Sequence, residues 1–226
     1  MNISHVYGPV YNGSVVSVKD GSRRLPVQAR SQARVERILA AATAIVERDG
    51  VDAATTRAIA GGADVPVATL YQFFADRDAV LDAVLQRELD ALDEHVATVS
   101  QTAKAGAATA SLSAFVDFAF EVHRAYYRSH PAFARLWFGG RRTPPVEAAV
   151  RHRGRRLAAG WHTVMVEAGL IRPDADPLVA ELGIELGDRI FECAYRRDPE
   201  VEDAVFTEGK RAVTAYLEQH SPNPRS

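Results

Sequence analysis

The strongest constraint on this chain is a helical spacing of apolar residues that starts near Arg30 and persists to Gln219. No run of alternating apolar residues competes with it. A backbone that buries every third or fourth side chain over such a length folds as packed helices, so the fold class is all-α. Breakers cut the pattern into about nine helices. The first spans Ser31 to Arg48, with Val35, Ile38, Leu39, Ala42, Ile45 and Val46 on one stripe, and Asp49-Gly50 stops it. A short helix follows Thr55, a good N-cap, and weakens at Gly61-Gly62. After the turn Ala63-Asp64-Val65, Pro66 opens a third helix, Val67 to Phe74. Asp76 caps a long fourth helix reaching about Ser100. Further helices are expected from Ser111 to Ser129, Pro131 to Phe138, Val146 to Ala168, Pro177 to Arg196 and Glu200 to Glu218.

Residues 1–30 read as a flexible arm, rich in Gly, Pro, Ser and Asn, with a transient strand as one option around Val10-Tyr11 and Val15 to Val18. The tail, 221–226, reads as loose. The chain has 226 residues, 47% of them hydrophobic, so a substantial core can form. Net charge is −2, which leaves any nucleic-acid role to local charge. Lys19 to Arg77 holds nine basic and seven acidic residues, a weak excess of the right sign. A single cysteine, Cys193, forbids an intrachain disulfide and fits a reducing cytoplasm. The first residues lack a secretory pattern, and no apolar run is long enough for a membrane span.

The informative stretch runs from Ala54 to Ala83. Two short helices joined by a tight turn and braced by a preceding helix make a helix-turn-helix. A short helix of this kind enters a DNA major groove. Ile59, Val65, Leu70 and Phe74 are spaced to close a small core against Ile45 and Val46, which leaves Thr69, Tyr71 and Gln72 to face outward. The runs Thr55-Thr56-Arg57-Ala58-Ile59-Ala60, Val65 to Phe74 and Asp76-Arg77-Asp78-Ala79-Val80-Leu81 resemble the DNA-binding head of TetR-type repressors, over about Arg34 to Leu85. By that resemblance, Thr55 or Thr56 caps the second helix and touches phosphate. Thr69 and Tyr71 contact the backbone, Val67, Ala68 and Gln72 sit nearest the bases, and Arg77 clamps a phosphate. Asp64 stands where the family's turn usually has Gly, Ala68 replaces a common Gly, and Phe73 replaces a His or Tyr. Arg23, Arg24, Arg30 and Arg34 read equally as a basic minor-groove arm or as a solvated tail.

The resemblance implies a division into a helix-turn-helix domain, 31–78, and a helical effector-binding and dimerisation bundle, 79–220. The body carries Phe115, Phe118, Tyr126, Phe133, Trp137, Trp161 and Met165, with His123 and His162 as polar handles. Such residues line a pocket for a hydrophobic or amphipathic effector, and they equally build a helical core. Arg141, Arg142, Arg151, His152, Arg153, Arg155 and Arg156 form a basic run, read as a solvated face, a set of partners for acids, or an anchor for an acidic ligand. By resemblance the last two helices form a dimer interface through Leu178, Leu182, Leu186, Ile190, Val205, Val213 and Leu217. A dimer also has a physical rationale, since two symmetric heads read a palindrome.

No catalytic motif and no metal-ligand spacing appears, so neither cofactor nor metal is expected. The expected function is a dimeric one-component transcriptional regulator, acting as a repressor on double-stranded operator DNA and released by a small-molecule effector. The alternative is a helical small-molecule binder whose head serves only packing.

Overall fold

The computed structural model describes residues 24–102, 110–139, 143–196 and 202–223. Among them are nine α-helices and one 3-10 turn. In chain order these are α1 (Arg24–Asp49), the 3-10 turn Val51–Ala53, α2 (Thr56–Gly62), α3 (Val67–Leu70) and α4 (Arg77–Thr102). They continue with α5 (Leu112–Ser129), α6 (Pro131–Gly139), α7 (Pro144–Glu167), α8 (Leu178–Tyr195) and α9 (Glu202–Glu218). No strand occurs among the described residues.

Local chemistry sets most of these boundaries. Thr55 Oγ1 accepts from Ala58 N–H (3.2 Å), Asp76 Oδ1 from Ala79 N–H (2.8 Å) and Ser111 Oγ from Ala114 N–H (3.1 Å), each satisfying a first-turn donor. Two boundaries differ from the sequence expectation. Helix α1 begins at Arg24, inside the expected arm, because Leu25, Gln28, Ala29 and Arg30 favour helix and Pro26 lies in its first turn, where no donor is needed. The expected third helix, 67–74, is α-helical only to Leu70. Beyond it the bonding tightens, with Gln72 N–H on Thr69 O and Phe73 N–H on Leu70 O. The expected strand around Val10 to Val18 lies outside the described residues, as does Arg23.

The described residues form two compact units. The first comprises 24–89 with 131–139 and Thr143, and is called the head below. The second comprises 90–102, 110–130, 144–196 and 202–223, and is called the body. This partition differs from a division after residue 78, since it falls within α4 and assigns α6 to the head.

In the head, Ile38, Ala42, Val46, Ile59, Leu70, Val80 and Val84 are wholly buried. Helix α6 packs on α1, burying Phe133, Leu136, Trp137 and Phe138. Its single cation, Arg135, donates to Val46 O (3.0 Å), which also accepts from Gly50 N–H (3.1 Å), and to Glu47 O, so it adds donors to the carbonyls of the last turn of α1.

The body is built on α5, α7, α8 and α9 with the second part of α4. Phe120, Phe191 and Phe206 form one ring cluster with centroids 5.0–6.3 Å apart. The Arg124 guanidinium lies 4.6 Å above the Phe206 ring and bonds Glu202 at 3.1 Å, joining α5 to α9. Lys210 adds bridges to Glu121 (2.6 Å) and Asp117 (3.3 Å).

Helices α8 and α9 meet at Gly209, where an added Cβ would stand 2.3 Å from Ile190 Cγ2. Alanine gains about 1 kcal/mol over glycine in a helix, whereas overpacking costs about 1–3 kcal/mol. The Ile190 side chain, branched at Cβ, has little freedom to withdraw. Gly209→Ala is therefore expected to destabilise the body by about 1–2 kcal/mol in urea unfolding. On an Ile190→Ala background the same change should cost nothing or stabilise. A Gly209→Ala protein as stable as the parent would refute this packing.

Candidate nucleic-acid interface

The site is built from α2, a four-residue turn and α3. The turn is closed by two backbone bonds: Val65 N–H donates to Ala60 O (3.0 Å) and Asp64 N–H to Gly61 O (3.2 Å). This pairing needs a left-handed residue between the two donors' helix and the next segment. Asp64 supplies it, with φ at 51°, the positive value among the described non-glycine residues. A short polar side chain tolerates that conformation at lower cost than a bulky or branched one. Asp64 thus takes the conformation for which glycine is usual.

The next segment, Pro66 to Leu70, leaves the turn extended and then winds into α3. Pro66 O accepts from both Thr69 N–H (2.8 Å) and Leu70 N–H (3.3 Å). Leu70 enters the core with none of its surface exposed. With that side chain fixed inward, its helical neighbours point away. Tyr71 is 52% exposed and Val67 37%. Ala68 and Gln72 are exposed, while Thr69, Phe73 and Phe74 are half-buried. The chain therefore offers one small outward face: two apolar groups, a phenol and a carboxamide. Beside it, Thr55 is exposed and Thr56 half-buried at the start of α2. Because Thr55 Oγ1 already accepts from Ala58, its hydroxyl hydrogen remains available to an outside acceptor.

Arg77 is placed differently from a simple phosphate clamp. Its Nε donates to Ala54 O at 2.9 Å and a terminal nitrogen donates to Val51 O. It also lies 3.7 Å from Asp78. The guanidinium thereby ties the start of α4 to the loop in front of α2. Its structural task is to hold α2 in position, with the remaining donors still able to meet an anion.

The residues proposed for effector contact separate between the units. Phe115, Tyr126 and Met165 are buried in the body, with Phe118, His123 and Trp161 half-buried there. Phe115 and Trp161 meet edge to face at 5.3 Å. Phe133 and Trp137 instead belong to the head, 5.9 Å apart on α6, because Pro131 restarts the chain as a separate helix whose apolar side packs on α1. His123 has some surface at solvent, yet its ring lies among Tyr127, Trp161 and Phe191 at 6.3–6.5 Å. Nδ1 bonds Ala119 O at 2.7 Å. Burial lowers its pKa to about 4, against the opposing pull of Ala119 O and with a further push from nearby Arg153. The imidazole is neutral at pH 7. His162 Nε2 bonds Ala175 O at 2.8 Å, which makes it a clasp on the loop before α8.

Within the basic run, the residues part company. Arg151, His152 and Arg155 are exposed, and Arg141 and Arg142 lie outside the described residues. Arg153 is only 18% exposed and grips Asp93 with Nε at 2.9 Å and Nη2 at 2.5 Å. Arg156 reaches the same carboxylate at 3.4 Å. These bonds fasten α7 to the body part of α4. The sequence signal for this pair was an acid, Asp93, set beside the buried Leu92 on an apolar stripe. Arg135 was equally legible as the one charge on an otherwise apolar helix.

Of the interface candidates, Leu178, Leu182 and Leu186 form an exposed stripe along α8. Ile190 and Val205 are half-buried. Val213 and Leu217 are buried inside the protomer, where Leu217 Cδ2 would lie 3.5 Å from a Cβ at Gly183. Leu217 thus packs α9 against α8 at Gly183. No group of three or more His, Cys, Asp or Glu residues able to hold a metal occurs among the described residues. No described helix is long and apolar enough to cross a membrane.

Comparison with known proteins gives this arrangement a family. Residues 38–84 match the bacterial regulatory proteins of the tetR family, and residues 110–221 match the tetracyclin repressor-like C-terminal domain. The chain belongs to the TetR family of transcriptional regulators. Over 74 residues it is 40% identical to the HTH-type transcriptional repressor KstR of Mycobacterium tuberculosis, a match covering 33% of this chain and 32% of that protein. Over 60 residues it is 42% identical to KstR of Mycolicibacterium smegmatis, covering 26% and 29%. The chain thus spans about a third of the length of these curated relatives. A TetR-family transcriptional regulator from Streptomyces coelicolor superposes with a TM-score of 0.60 at 27% identity, over 83% of this chain and 99% of the other. A TetR-family regulator from Pectobacterium atrosepticum gives a TM-score of 0.67 at 18% identity, over 88% and 99%, which shows shared fold.

Two outcomes follow from the geometry. Arg77→Met removes both bonds to loop carbonyls and should lower head stability by about 1–3 kcal/mol in denaturant unfolding. Unchanged stability would return Arg77 to the role of a free surface cation. For His123, the folded pKa lies below the unfolded value near 6.5, so the unfolded chain binds the proton more readily. Stability should fall as pH drops from about 6.5 to about 4, by up to about 3 kcal/mol. His123→Phe should flatten that dependence, and an identical pH profile in the variant would contradict the assignment.

Proposed function

We propose that the protein is a dimeric, cytoplasmic, one-component repressor that binds palindromic operator DNA and is released by a small apolar or amphipathic effector held in the body. The observation that carries this reading is the register of α3. Leu70 is sealed in the core while Val67, Ala68, Tyr71 and Gln72 are turned outward. A head used only for packing has no need of a phenol half in solvent beside a carboxamide. Exposed phenols, hydroxyls and amides are the groups that bond phosphate oxygens and base edges. The similarity to KstR, an HTH-type transcriptional repressor, supports the same direction.

One such helix reads too few base pairs for a unique genomic site, so a twofold dimer reading two half-sites is the physical solution. The exposed Leu178, Leu182 and Leu186 stripe on α8 supports dimerisation through that helix. Helix α4 supplies the route for the signal, since its first part belongs to the head and its second part carries Asp93 in the body. An effector that favours a different setting of α4 changes head spacing and lowers DNA affinity. Linkage requires the reverse effect to be equal, so operator DNA weakens effector binding by the same factor.

The test is fluorescence anisotropy with DNA fragments from the protein's own locus at fixed salt. Binding should weaken steeply as salt rises, because cations are released from phosphates. Tyr71→Ala should lose about tenfold in affinity, the worth of one hydrogen bond to a charged group. Retained affinity in that variant would remove α3 from the interface, and absence of any binding would leave the small-molecule binder as the reading.

A further inference from the structure

The outward face of α3 has a second property: it contains no cation. From Ala58 to Asp76 the chain has no Lys, Arg or His, although this segment includes α2 beyond its first two residues, the turn and all of α3. Guanine is read in the major groove chiefly by a bidentate Arg or Lys on O6 and N7. The reading helix of this protein has no side chain able to do that. What this segment exposes is Gln72, in the turn that follows α3, whose carboxamide offers donor N–H groups and an acceptor oxygen, and one turn earlier the methyl groups of Val67 and Ala68. Gln72 forms no side-chain hydrogen bond among the described residues, so its amide is available to a ligand.

We infer that α3 and the turn that follows it select A·T base pairs, with Gln72 as the specificity-determining residue and adenine as its partner. The carboxamide oxygen accepts from the adenine N6 amino group while its NH2 donates to adenine N7. Val67 and Ala68 then provide an apolar surface for the C5 methyl of thymine. The nearest cations in sequence do not replace this code. Arg77 is tied to the carbonyls of Val51 and Ala54. Arg57 is exposed near the start of α2 rather than on α3, a position suited to phosphate. This inference rests on the operator-binding reading and adds the base identity that reading leaves open.

The experiment is selection of binding sites from randomised duplex DNA by the full chain and by Gln72→Glu and Gln72→Ala. The parent should enrich a palindrome with an adenine at one defined position in each half-site. Gln72→Ala should flatten preference at that position alone, by about tenfold. Gln72→Glu should move it from adenine to cytosine, whose N4 amino group can only donate. In the parent complex, replacing that adenine with 7-deazaadenine, or the contacted thymine with uracil, should weaken binding by a similar factor. A palindrome enriched equally by the parent and by both variants would overturn the inference while leaving operator binding intact. So would half-sites whose protein-dependent positions are all G·C. Failure to enrich any sequence would overturn operator binding itself, and the base code with it.

Discussion

The head depends on the complete burial of one side chain, Leu70. Helix α3 is a single turn, too short to be stable by its own hydrogen bonds. It exists because Leu70 is anchored against a core containing Ile59 and Val46 and because the turn before it is closed on α2. With a helix this short, one anchor decides the direction of every other side chain. The outward positions of Tyr71 and Gln72 are thus consequences of Leu70 rather than independent features.

The same economy governs the rest of the head. Two arginines, far apart in sequence, donate to backbone carbonyls at the end of α1 and in the loop before α2. Arg135 closes the end of α1, and Arg77 closes the loop between α1 and α2. Both act on the segments that set the position of α2, and through it α3. In the body, charge does a similar task at lower exposure, where Asp93 receives both Arg153 and Arg156. A part-buried pair of this kind contributes little net stability but is costly to break on one side, so it specifies one position for α7 against the body part of α4.

Much of this was readable in the sequence, for reasons that can be named. Helix count and order followed from apolar spacing and from the breakers Asp49-Gly50, Pro66, Pro131 and Pro177. Caps at Thr55 and Asp76 are local and therefore legible, and Ser111 was expected as a helix start. What escaped was long-range. Nothing in α6 announces that it packs on α1, which places Phe133 and Trp137 in the head rather than with the other aromatics of the expected effector group. Nothing in α9 distinguishes an apolar residue facing its own protomer, such as Val213 or Leu217, from one facing outward. Arg77 was assigned by resemblance to a phosphate, whereas its nearest acceptors are two carbonyls 23 and 26 residues earlier in the chain. The reach of a flexible side chain across such a separation is set by tertiary packing, to which sequence spacing is blind.

The most direct measurement is photocrosslinking from a benzophenone side chain placed at position 72, against duplex DNA selected by the unmodified protein. If the side of α3 opposite Leu70 enters the major groove, the crosslink forms to a base, at the same position in each half-site, and disappears when free operator competes. Crosslinking that fails at position 72 but succeeds from an equivalent probe on the body's α7, or that maps to DNA without regard to position, would contradict the account.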